Sequence, residues 1–194
     1  PSKIHQTDQK KLISKWNISK EKPLILLPGR LTSWKGQEMF IEAIRLVKEK
    51  MSEKSFCAVI LGSDQGRNVY KKKLVGLVQQ YRLNKIVKFI NHCEEMPIAY
   101  SISNLVVSSS IEPEAFGRVS VEAQSMEVPI VASNIGGSKE TIIDGKTGFL
   151  FKSGNPKDLA DTMKMVMEKD YNSLKSIGIE GRKNILKKFD VDKM

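Results

Sequence analysis

The sequence predicts an α/β fold: a single doubly wound, Rossmann-like domain on a parallel sheet. Short, largely apolar runs rich in Ile, Val and Leu recur along the chain, as expected of strands buried on both faces. Between them lie amphipathic stretches of helical period, and such alternation places helices on the faces of a sheet. Glycines and charged residues gather just after the apolar runs, where doubly wound sheets bind ligands.

In chain order, residues 5–17 read as a helix that precedes the sheet and is poorly tethered without a further domain. Residues 24–28 (Leu-Ile-Leu-Leu-Pro) form the first strand, and 36–50 a helix placing Met39, Phe40, Ala43, Ile44 and Val47 on one face. Residues 56–61 (Phe-Cys-Ala-Val-Ile-Leu) form the second strand, followed by a helix over 68–82 with Val69, Leu74, Leu77, Val78 and Tyr81 at helical spacing. Three further strands fall at 86–90, 105–107 and 129–132, and a short segment, Gly148-Phe-Leu-Phe, follows. Two helices, 156–168 and 171–188, end the chain. Asn155 suits the N-cap of the first because Pro156 takes the position that needs no N–H. The five loops beginning Gly29-Arg30, Gly62-Ser63-Asp64, Asn91-His92, Glu112-Pro113 and Asn134-Ile135 should therefore converge on one sheet edge.

At 194 residues the chain is long enough for one domain with a sizeable core and short for two. Hydrophobic content of 40% and charged content of 28% are those of a soluble globular domain. No apolar run approaches the roughly 20 residues that span a bilayer, and nothing resembles a signal peptide, so a cytoplasmic location is expected. Cys57, in an apolar run, and Cys93 lack metal-ligand spacing, and no metal site is expected. The net charge of +10 fits a solvated lysine-rich surface, or attraction to an anionic substrate or to anionic headgroups on the inner membrane face. Aromatics at 7% are too few to interleave with basic residues as single-strand binders require, so nucleic acid is disfavoured.

The densest chemistry lies in Glu112-Pro-Glu-Ala-Phe-Gly-Arg-Val-Ser-Val-Glu-Ala, after Leu105-Val-Val-Ser-Ser-Ser. A strand, a tight glycine turn and a helix make an anion site, since the free amides at a helix start and its dipole favour phosphate. Glu114 sits at the loop mouth and Glu122 about one and a half turns into the helix, far enough apart to hold different parts of one ligand. That ligand carries both hydroxyls and phosphate. Arg30 and Lys35 flank the loop after the first strand, where two cations can neutralise a diphosphate.

Glu-x-Phe-Gly-x-x-x-x-Glu from Glu114 to Glu122, with Gly-Arg-Leu-x-x-x-Lys-Gly from Gly29 upstream and Gly136-Gly137 downstream, resembles the donor half of a family 4 retaining glycosyltransferase of the GT-B fold. The three motifs stand in the family's order, and the likeness runs from about Leu24 to the C-terminal segment. It implies that residues 1–194 are the nucleotide-sugar binding domain, one half of a GT-B fold, with the N-terminal acceptor domain absent. Both chain ends fit a fragment: it begins at Pro1 and stops at Met194, just after Phe189-Asp-Val-Asp, which in relatives leads to a helix crossing to the other domain.

The resemblance assigns roles residue by residue. Arg30 and Lys35 bind the sugar-nucleotide diphosphate and stabilise the charge that grows on it; with Glu114, which contacts the transferred sugar near the reacting centre, they form the catalytic group. Glu122 accepts hydrogen bonds from the ribose hydroxyls, as a carboxylate with two acceptor oxygens can. Gly29, Phe116, Gly117, Arg118 and Val119 complete the donor site, the turn at 116–119 presenting amides to the diphosphate. Gly136-Gly137, with Ser138 and Glu140, packs closely near the sugar pocket. The implied activity is transfer of a hexose-type sugar from a UDP- or GDP-linked donor to an acceptor glycan or lipid-linked glycan, in bacterial cell-envelope polysaccharide or lipopolysaccharide synthesis, without metal or other cofactor. The fragment alone is expected to bind nucleotide weakly and to transfer nothing.

The chain departs from the family pattern after the third strand, where Asn91 and His92 stand in place of a glycine; this loop often reads the base, so the base stays open. A nucleotide-sugar epimerase or a phosphorylase of the same fold, and a basic non-catalytic binding module, are the alternative readings.

Overall fold

Apolar runs whose side chains alternate sides suit a sheet covered on both faces. A computed structural model of the chain, describing residues 4–51, 56–66 and 68–189, builds six strands from them. In chain order the elements are α1 (Gln6–Lys15), β1 (Leu24–Pro28), a short 3₁₀ turn (Ser33–Lys35), α2 (Gln37–Lys50), β2 (Cys57–Leu61), α3 (Asn68–Gln80), β3 (Val87–Ile90), α4 (Met96–Ser101) and β4 (Leu105–Ser108). There follow α5 (Arg118–Ser125), β5 (Ile130–Ser133), α6 (Ser138–Thr141), β6 (Phe149–Phe151), α7 (Pro156–Met167) and α8 (Tyr171–Lys188). The strand order is β3-β2-β1-β4-β5-β6, every neighbouring pair parallel. The expected doubly wound α/β fold is present, and the segment at Gly148 becomes its sixth strand.

The alternation sorts side chains into two cores. Ile25, Leu27, Ala58, Ile60, Leu105 and Val107 face one layer, packed with Phe40 and Ile44 of α2, Leu74 and Val78 of α3, and Leu159 and Met163 of α7. Leu24, Leu26, Cys57, Val59, Val106 and Ile130 face the other, packed with Leu12 of α1, Ile98 and Tyr100 of α4, and Ala123 of α5. Each fully buried Leu, Ile or Phe contributes about 1.5–3 kcal/mol, and truncating Phe40, wholly buried, to alanine costs about 3–5 kcal/mol. Cys57 is buried packing as expected, and its burial raises the thiol above its ordinary value.

The N-terminal helix corrects one expectation. Rather than hanging loose, α1 buries Leu12 and the adjoining Trp16 in the second core, and its Gln9 Nε2 donates to Ser101 Oγ of α4 at 3.1 Å. Asn155 caps α7 as read from the sequence, accepting from the Asp158 N–H at 3.0 Å. The residues after Phe189 that were expected to lead toward another domain lie outside the described residues, as does Pro1.

Candidate functional site

The strand order reverses at β1: the chain winds out to β2 and β3, then returns to β4 on β1's other side. This leaves a crevice at the carboxyl ends of β1 and β4, where such sheets take their ligands. A cleft of about 570 Å³ opens there. The loop after β1 supplies Gly29, Arg30, Trp34 and Lys35; the loops after β2 and β3 supply Gly62, Ser63, Gln65, His92 and Cys93. Glu114 enters from the loop after β4, Tyr100 from α4, and Arg118, Val119 and Glu122 from α5.

Seven of the nine residues picked out from the sequence thus line one hollow: Gly29, Arg30, Lys35, Glu114, Arg118, Val119 and Glu122. Phe116 and Gly117 do not. The Phe116 ring meets the Phe189 ring edge to face, centroids 5.2 Å apart and planes at 84°, a favourable aromatic geometry. Gly117 is the N-cap of α5, and no side chain caps the helix, so its first amides lack the usual side-chain acceptor.

Lys35 is held from several sides. Its Nζ lies 2.7 Å from Glu114 Oε2, both side chains largely shielded at 14% and 20% exposure, and 4.6 Å from the centre of the Trp34 ring. Its backbone carbonyl accepts from Ser109 Oγ at 3.0 Å. The next residue must be glycine: at Gly36 φ is +70°, and a Cβ would stand 1.9 Å from the Ser109 carbonyl oxygen. Arg30 is exposed and, among the described residues, has no acidic partner; its backbone carbonyl accepts from Gln37 Nε2 at 2.8 Å, which fixes the loop beneath a free guanidinium.

Glu114 is fixed on its other side. Ser110 Oγ donates to its Oε1, and its carbonyl accepts from the Gly137 N–H at 2.8 Å. The loop after β5 was expected to reach the cleft with the other four, and it does not line it. It lies against the Glu114 loop instead: at Gly136, φ +52°, a Cβ would stand 2.5 Å from the Glu114 carbonyl oxygen. The Gly136-Gly137 pair therefore acts as a backing that sets where Glu114 stands.

Glu122 accepts from the Tyr100 hydroxyl at 2.7 Å on Oε2 and meets Arg118 at 3.4 Å on Oε1. Tyr100 is 2% exposed; burial, and then the Glu122 charge and hydrogen bond, push its ionisation far above the ordinary tyrosine range. It therefore remains a donor at any ordinary pH. Sequence reasoning missed Tyr100, Trp34 and Ser110. The one available signal was that a tyrosine in a buried stretch needs a partner for its hydroxyl.

Three cations and two carboxylates thus border one hollow, with amides at a helix start beside them. That arrangement can hold a polyanion and hydroxyl-bearing groups together. His92 is exposed at the rim, and burial raises the Cys93 thiol above its ordinary value. Among the described residues, no cluster of three or more His, Cys, Asp or Glu side chains is placed to hold a metal ion, and no helix is long and apolar enough to cross a membrane. Of the basic run in α3, Lys71 meets Asp64 at 3.4 Å and Lys73 meets Glu38 at 2.6 Å, so it is largely ion-paired.

Residues 8–184 match the family model of glycosyl transferases group 1. The capsular polysaccharide biosynthesis glycosyltransferase CapM of Staphylococcus aureus is 28% identical over 185 residues, covering 95% of this chain and 47% of CapM. Among solved structures, a glycosyltransferase from Rickettsia africae superposes with a TM-score of 0.92 at 28% identity, covering 99% of this chain and 50% of that one. HepE from Anabaena, solved in complex with UDP-glucose, gives 0.88 at 28% identity, covering 98% and 50%. The chain spans about half the length of these relatives.

Proposed function

The chain belongs to the glycosyl transferases group 1, and on that premise we propose that it is the donor-binding half of a retaining glycosyltransferase. The observation that carries the reading is the single cleft at the turn of the strand order, shared by Arg30, Lys35, Glu114 and Glu122. The proposed donor is a nucleoside diphosphate hexose, UDP-linked in preference to GDP-linked; the UDP-glucose bound by the similar HepE supports that choice. The likeness to CapM supports an acceptor in cell-envelope polysaccharide assembly. The acceptor site would lie on a second domain, and the surplus of positive charge would favour encounter with acceptors carried on anionic lipid.

In this reading Arg30 and Lys35 take the pyrophosphate, joined by the first amides of α5. Glu122 takes the ribose hydroxyls, and Glu114 the hydroxyls of the sugar. The bond from the anomeric carbon to the phosphate oxygen breaks as the acceptor oxygen forms its bond on the same face. The acceptor proton passes to the departing phosphate. Lys35 and Arg30 offset the charge that grows on the diphosphate, so the protein contributes positioning and electrostatic stabilisation rather than a strong base, and no metal is required.

Calorimetric titration with UDP, GDP and ADP tests the assignment. Binding of one diphosphate, lost or much weakened in Arg30→Ala and Glu122→Ala, is expected. Equal affinities in wild type and both variants would refute it.

A further inference from the structure

We propose that Tyr100 is the positioning residue for Glu122, fixing the carboxylate so that its remaining acceptor sites face the ribose. The inference rests on reading Glu122 as the ribose acceptor. The Tyr100 hydroxyl lies 2.7 Å from Oε2, and its ring is sunk in the second core. That ring is held on a helix tied to α1 through Gln9 Nε2, which donates to Ser101 Oγ at 3.1 Å, and closed at its C-terminal turn by Ser103 Oγ, which donates to the Ala99 carbonyl at 2.7 Å.

A buried phenol has one proton to give and needs an acceptor for it. Glu122 supplies that acceptor, while Arg118, 81% exposed, is the softer contact. A carboxylate offers about four lone-pair positions. With one taken by a fixed donor, the side chain cannot rotate away without breaking that bond, and the carboxylate stays at the wall of the cleft, where, among the described residues, its other oxygen meets only the exposed Arg118 at 3.4 Å. Two vicinal hydroxyls can then each donate to a carboxylate already in place, with less ordering left to occur on binding.

The test compares UDP with its dideoxy analogue lacking both ribose hydroxyls, and the guanosine pair in parallel, by calorimetry. Wild type, Tyr100→Phe, Glu122→Gln and the double variant are titrated, with thermal melts alongside. Wild type should prefer the ribose form by about tenfold or more. Tyr100→Phe should reduce that preference by about threefold or more without changing affinity for the dideoxy form. In the Glu122→Gln background the tyrosine change should add nothing.

A Tyr100→Phe protein that keeps the full preference, or that weakens both ligands equally, overturns the inference while leaving the Glu122 assignment standing. Absence of any preference in wild type overturns the assignment, and the inference with it. Should Tyr100→Phe fail to fold, wild type labelled with carbon-13 at the tyrosine ring carbon bearing the hydroxyl decides the same question. The Tyr100 signal should shift with the ribose form and not with the dideoxy form; identical shifts with both would overturn the inference.

Discussion

The Lys35 ammonium stands 2.7 Å from Oε2 of Glu114, joining the loop after β1 to the loop after β4 across the crevice between their strands. This contact ties the two halves of the doubly wound sheet together where a ligand would enter. Because both side chains are largely shielded from water, removing one partner leaves the other charge poorly compensated.

Lys35→Ala is therefore expected to lower stability by leaving Glu114 without its partner, and among ligands to weaken those that carry phosphate. It should weaken nucleoside diphosphate binding by about tenfold to a hundredfold, the range of a lost charge-assisted hydrogen bond. Affinity for the bare nucleoside should stay within about twofold. Calorimetry on both ligands checks this.

The backing of the Glu114 loop gives a second expectation. Gly136→Ala places a Cβ 2.5 Å from a backbone oxygen at positive φ, whereas Gly145→Ala, also at positive φ, meets nothing within 4 Å. Both incur backbone strain, and Gly136→Ala adds a clash, so it should cost upwards of about 2 kcal/mol against about 1 kcal/mol for Gly145→Ala. Urea unfolding of the two variants measures the difference, and only Gly136→Ala should also weaken sugar-nucleotide binding.

Alkaline behaviour follows from Tyr100. Its ionisation is pushed upward by burial first, then by Glu122. A group whose folded value lies above its unfolded value, about 10 for tyrosine, contributes stability that is full below that value and lost as pH rises beyond it. The Tyr100 phenol should thus ionise only as the chain unfolds, and so should Tyr70, raised chiefly by burial. Absorbance titration of tyrosinate should show a late step coincident with loss of circular dichroism, smaller by one phenol in Tyr100→Phe.

The packing of α1 can be tested separately. Trp16 is 4% exposed in the second core, and Trp16→Ala should cost about 3–5 kcal/mol. A loosely tethered helix would tolerate the change. Thermal or urea unfolding distinguishes the two.

The strands and long helices were legible because their signals are local. The run Leu24-Ile-Leu-Leu-Pro became β1 with the same limits, and the stretch read as a helix over 171–188 became α8. Elements of four or six residues such as α6 and α4 are too short to show a helical period, and α4 carries Tyr100. The carboxyl-end placement of Gly29, Arg30 and Glu114 followed from the alternation of strands and helices, and that of Glu122 from the helix that begins after the glycine turn; their roles came from the family resemblance. What sequence could not show were pairings across the chain. Tyr100 and Glu122 are partners only because α4 and α5 cover the same face of the sheet, and Gly136 backs Glu114 only because β5 lies next to β4. Local pattern fixes which residues face the sheet's edge, while contact between loops depends on packing that no short window contains.

The most direct measurement is a crystal structure of the chain soaked with UDP-glucose. The pyrophosphate should lie within hydrogen-bond reach of Arg30 and Lys35, with the ribose hydroxyls on Glu122 and the glucose beside Glu114. A nucleotide bound elsewhere, or a pyrophosphate contacting neither Arg30 nor Lys35, would contradict this assignment.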